Sequence, residues 1–186
     1  MDNSFLAYVQ KLETMAFFSG YALVYTAVLF LSGNKLFKSK FVDRLVLLLP
    51  FTYAFVGTLF LGFQIRKLYP DYSTEHIRLL IQQSYLVIWG LLPIAFWLPV
   101  FNKRPVLSLI HSLVFFCVLA GDLFIQFTTH TADDNIVKND MKVYGASMIL
   151  NLGVLGFLAI LVTLYAYYRN KQIQHHQTNR LQKRHP

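Results

Sequence analysis

Asp122 is an ionisable side chain inside an unbroken apolar stretch, Val106–Phe127. A carboxylate in that setting costs about 2.5–3.5 kcal/mol on membrane-insertion scales, which makes it a functional candidate by default. At 1.5 Å per residue it falls about 8 Å outward of the centre of its stretch. Asn151, in the stretch Gly145–Tyr168, falls at nearly the same depth, and Ser19, Thr58 and Tyr85 in the other stretches fall within about 3 Å of that level. The spacing predicts one polar group per helix in a common outer layer. Two readings fit such a layer. Asp122 is hydrogen-bonded glue between helices, or it is the centre of a proton, cation or ligand site.

His111 is the only histidine in an apolar stretch. It precedes Asp122 by eleven positions, and eleven steps of about 100° return within about 20° of the same helix face. Ser108 and Gln126 extend that face, with Phe115 and Val118 interrupting it. Along the axis His111 and Asp122 are ~16 Å apart. A proton relay between them needs intermediates such as Tyr25, Tyr53 or Thr52, and a packing histidine bonded to a neighbouring helix is the simpler expectation. The polar cluster carried forward is Asp122, Asn151, Tyr85, Thr58, Gln126 and His111.

Other chemistries find too few residues. Haem ligation of the b type draws on histidine pairs, and the stretches offer one. His130, Asp133, Asp134, Asn135 and Asp140 supply hard oxygen ligands, but without the glycine and terminal glutamate of a calcium loop. Cys117 is the only cysteine, so neither an internal disulfide nor a thiolate metal site is open to this chain. No Ser/His/Asp set, catalytic carboxylate pair, phosphate loop or HExxH motif occurs. The expectation is a non-enzymatic protein with no cofactor and no metal.

The elements that must position these residues are five apolar stretches, Thr14–Leu31, Leu45–Phe63, Leu79–Val100, Val106–Phe127 and Gly145–Tyr168. A hydrocarbon core of about 30 Å takes ~20 apolar residues as a helix, and only a helix of this length satisfies its own backbone in lipid. The expected fold is therefore all-α, a polytopic membrane bundle of five transmembrane helices over residues 1–168, followed by a basic tail over 169–186. The chain is 55% hydrophobic, above the soluble average of about 45–50%. The first stretch follows Asp2 and Glu13 and lacks a small-residue cleavage site, so it reads as a retained helix and not a leader.

Charge sorts by side. Eleven Lys and Arg, including Lys35, Arg44, Lys103 and Arg104, share one side with the single acid Asp43. The other side holds six, among them Lys11, Lys67 and Lys142, against seven acids. Lysine and arginine bias sets orientation, so the N-terminus is expected outside and the C-terminus in the cytoplasm. The net charge of +8 is thereby a topology signal, not a nucleic-acid surface. Arg169, Lys171, Arg180, Lys183 and Arg184 of the tail are expected to meet anionic lipid, at about 1 kcal/mol per close charge.

Local signals complete the reading. Asn3 or Ser4 caps a first helix of about 28 residues that ends at Ser32-Gly33-Asn34. Pro50 kinks the second helix and deprives the Val46 carbonyl of its donor. Tyr69–Ser73 is a turn, Trp89, Gly90 and Pro93 mark a second kink, and Pro99 and Pro105 bracket a tight link. The segment Thr128–Tyr144 is a polar outer connection. Ala54, Gly57 and Thr58, with Ser147, Gly153 and Gly156, form small faces that permit close helix contact within the chain or between copies. With no soluble domain, the expected role is a sensor, effector or accessory subunit of a membrane assembly, as a homo-oligomer or with a membrane partner, in a bacterial inner membrane. The alternative is a small transporter or oligomeric channel that uses Asp122.

Overall fold

Long apolar runs that must bond their own backbone leave little choice but helix. The computed structural model describes residues 3–33, 39–69, 85–128 and 134–182, and among these it contains helices and no strand. Four helical stretches are long and apolar enough to cross a membrane: Tyr8–Gly33, Phe41–Lys67, Pro105–Ile125 and Asp140–Gln172.

The first stretch is not a single rod. Helix α1 (Asn3–Phe18) passes through a turn at Ser19 and Gly20 into α2 (Tyr21–Gly33). Helix α3 (Lys40–Lys67) begins at Ser39, whose hydroxyl accepts from Val42 N, and it carries Pro50 within its length. Its expected kink site holds Thr52, whose hydroxyl donates to Leu48 O at 3.0 Å.

The third expected span is where the five-helix reading departs from the structure. Helix α4 (Tyr85–Leu91) gives way to a 3-10 segment over Leu92–Trp97, then an extended residue at Leu98, then the short α5 (Pro99–Asn102). Pro93 and Pro99 each bring a ring and no N–H, and each begins a new element instead of continuing the old one. The apolar helical part, Tyr85–Trp97, falls short of the ~20 residues a crossing needs. Residues 79–84 of that expected span lie outside the described residues.

Helix α6 (Pro105–Thr128) is continuous through His111 and Asp122. Helix α7 (Asp134–Gln182) has 49 residues, ~73 Å of rise at 1.5 Å each. It runs through most of the segment expected as a polar outer connection and through the expected start of the tail. Hydropathy marks where a helix leaves lipid, not where it ends, and residues 134–182 hold no proline. The turn at Pro70–Ser73, His130, Asp133, Lys183 and Arg184 lie outside the described residues.

The core is aromatic and centred on the N-terminal pair. The most apolar part of the Tyr8–Gly33 stretch is more buried than that of Phe41–Lys67, Pro105–Ile125 or Asp140–Gln172, so the other helices pack around it. Phe18 stacks on Phe115 at 4.9 Å and meets Phe60 and Tyr53 edge-on at 5.3 and 5.8 Å, offset and T-shaped geometries that aromatic rings favour. Gly90 admits this cluster, because a Cβ there would lie 2.8 Å from the Phe60 ring. The outer surface is the inverse: Leu47, Val100, Ile149 and Phe30 are largely exposed. An apolar exterior of that extent needs a cover.

Candidate functional site

Three polar clusters join the helices. The first surrounds the N-terminal half of α1, where Tyr8, Lys11 and Glu13 lie within six residues and point to different neighbours. Lys11 Nζ pairs with Asp122 Oδ2 of α6 at 2.5 Å. Lys67 at the end of α3 pairs with Glu13. Tyr8 Oη donates to Asp140 Oδ1 of α7 at 3.4 Å, and Asp140 is only 2% exposed. Helix α1 is thus tied through successive turns to three different helices. The Asp122 side chain is 32% exposed and that of Lys11 28%, so the pair is partly open to the surroundings of the bundle. Asp122 is not an isolated intramembrane acid: its counter-ion is a lysine expected in the outer turns of the first helix.

The second cluster lies at the centre. Tyr53 Oη and His111 Nδ1 are 2.7 Å apart, and the tautomer sets which one donates. Trp89 lies flat against the His111 ring, with centroids 4.6 Å apart and planes 3° from parallel, and its Nε1 donates to His111 O at 3.4 Å. One helical turn inward, Tyr21 Oη donates to Leu49 O at 2.8 Å and lies 2.9 Å from Ser108 Oγ. Leu49 is the residue before Pro50, so the tyrosine closes on the backbone next to the proline. Either tautomer leaves His111 Nε2, which is buried, without a partner among the described residues. On the outward side of His111 the α6 face turns apolar. Phe115 and Leu119 are buried between it and Asp122.

The third cluster holds the turn between α1 and α2. Ser147 Oγ of α7 accepts from Gly20 N at 2.9 Å. Asn151 Nδ2 donates to Phe17 O and to Ser147 O, both at 2.8 Å. Ser19 Oγ folds back on Met15 O at 2.7 Å. Backbone groups freed where a helix breaks must find partners in lipid, and α7 provides them. Gly20 makes the approach possible: a Cβ there would lie 2.5 Å from Met148 N.

The layer expected from depth counting does not come together as one site. Asn151 turns to the α1–α2 turn. Thr58 donates to Ala54 O at 3.0 Å and accepts from Trp97 Nε1 at 3.0 Å. Tyr85 is 74% exposed. His111 belongs to the central cluster, and the Gln126 side chain lies outside the described residues. Equal depth says nothing about azimuth, and these groups point to different neighbours. In the tail, Arg169 and Lys171 are exposed, while the side chain of Arg180 lies outside the described residues.

Some partners had a sequence signal that depth counting passes over. Lys11 and Glu13 on one helix carry charges opposite to Asp122 and Lys67 on others. The stacking of Trp89 on His111 had none, because the bend at Pro93 sets the position of α4. No protein-family model, curated protein or solved structure matches this chain.

Proposed function

We propose that the chain is a non-catalytic, membrane-embedded helical bundle that acts as a sensor, effector or accessory subunit of a larger membrane assembly. The observation that carries this reading is the Lys11–Asp122 pair. The one acid in an apolar stretch already has its cation, and Asn151, Thr58 and His111 each bond to another element. Such ties build a scaffold whose output passes to another chain.

The threading proposed is five crossings, N-terminus outside and C-terminus cytoplasmic, in a bacterial inner membrane. Geometry supports the odd number. Lys67 at the end of α3 and Asp122 in α6 both pair with the outer part of α1. Pro105, seventeen positions before Asp122 on a continuous helix, lies about 25 Å away at the opposite end. That separation supports a chain that returns across the bundle between Lys67 and Pro105.

The test is flux. Purified protein in liposomes, under an imposed pH or potential gradient, is expected to leak protons and alkali cations no faster than empty vesicles, with Asp122→Asn indistinguishable from wild type. Flux that requires Asp122 would overturn the scaffold reading in favour of a small transporter or channel.

A further inference from the structure

At the basic end of the bundle, a crevice of about 380 Å³ opens between α3 and the link that joins α5 to α6. Its wall is apolar, formed by Val46, Leu47, Pro50 and Phe51, and its mouth is formed by Asn102 and Lys103. Leu47 is 71% exposed, so the crevice is open along its side to the surroundings of the helix and is not a sealed internal void.

The chemistry of wall and mouth is that of an amphiphile. Pro50 sets the back of the crevice, and Phe51, tilted against Trp97 at 6.2 Å, closes its far side. Lys103 and the neighbouring Arg104 are exposed at the mouth, and Arg44 is exposed on the first turns of α3. Asp43 is the one acid in that group, exposed one turn below Val46 and Leu47. Lys103 makes the mouth positive, and the exposed Arg44 and Arg104 close to it in sequence outnumber Asp43, a balance complementary to a phosphate.

We propose that this crevice is a binding site for one anionic phospholipid, with an acyl chain along Val46, Leu47 and Phe51 and its phosphate on Lys103 and Asn102. The site is separate from the general attraction of a basic tail to the lipid surface. It stands on the membrane setting of the helices and is independent of whether the bundle is a subunit or a transporter.

Native mass spectrometry of the full chain, released from bilayers of phosphatidylcholine and phosphatidylglycerol, tests it. One phosphatidylglycerol per chain should survive delipidation that strips phosphatidylcholine. Lys103→Gln should weaken that retention about fivefold, as expected for one close charge. Leu47→Trp, which fills the crevice and leaves every charge in place, should weaken it as well. Arg169→Gln with Lys171→Gln should leave it unchanged, and all variants should melt as wild type does. Retention insensitive to both Lys103→Gln and Leu47→Trp, equal retention of phosphatidylcholine, or loss in the tail variant alone would overturn the proposal.

Discussion

Gly20→Ala is the smallest change that should pull the bundle apart at its centre. A Cβ at Gly20 would lie 2.5 Å from Met148 N and 2.8 Å from Met148 Cα and Ser147 C, where ordinary contact begins at 3.4 Å. All three atoms are backbone, so no rotamer change relieves the overlap, and α7 must retreat by about 1 Å. Overpacking of that kind costs about 1–3 kcal/mol. The retreat also lengthens the Ser147–Gly20 and Asn151–Phe17 bonds, each worth ~0.6 and at most about 1.7 kcal/mol in a membrane protein. Against this, alanine restricts the unfolded chain relative to glycine, a gain of roughly 0.4–1 kcal/mol. The net expectation is a loss of about 2–3 kcal/mol, read as unfolding in a fixed mixed-micelle system. Gly153→Ala is the control, because nothing lies within 4 Å of a Cβ there, and it should be neutral or gain up to about 1 kcal/mol. Equal stability of the two variants would refute the close-contact account of the α1–α2 turn.

Tyr53→Phe keeps the ring packing but removes the partner of His111 Nδ1; it should cost on the order of 1 kcal/mol, whereas Tyr85→Phe, at an exposed position, should cost nothing measurable. His111→Leu removes the face against which Trp89 stacks and should change tryptophan emission, and an unchanged spectrum would argue against the stacked geometry. A cysteine introduced near Lys142 should react with an impermeant thiol reagent from outside and one at Gln172 should not; the reverse pattern would invert the proposed topology. Mass measurement in nanodiscs should show particles above the 21.6 kDa of one chain, and a strictly monomeric particle without a co-purifying chain would count against the subunit reading.

Helical class and most helix positions follow from hydropathy, because length and apolar composition are what a membrane selects. Punctuation was legible where it was chemical: α2 ends at Gly33, Pro93 breaks the α4 run, and Pro105 opens α6. The α1–α2 turn was not legible, since Ser19 and Gly20 sit in an otherwise smooth apolar run and the turn depends on α7 arriving with Ser147 and Asn151. Depth counting put Asp122 about 8 Å from the centre of its stretch and assigned it Asn151 as a counterpart. Depth is one coordinate of three, and rotation about each helix axis is decided by packing. The small face at Gly57 is internal, with Pro93 Cβ 2.8 Å from where a Cβ would sit, while Gly153 and Gly156 face open space. Glycine alone did not distinguish those two cases.

The account turns on Asp122 being a tie between helices, and reversal of its pair tests that most directly. Lys11→Asp sets two acids against each other, Asp122→Lys sets two cations against each other, and the double variant restores an ion pair with opposite polarity. Both side chains are partly exposed, so the coupling expected from a double-mutant cycle is modest, on the order of 1 kcal/mol. The account predicts that each single reversal lowers unfolding stability and that the double reversal recovers most of the loss, with vesicle flux at background in all three. Strictly additive losses, with no recovery in the double variant, would contradict it.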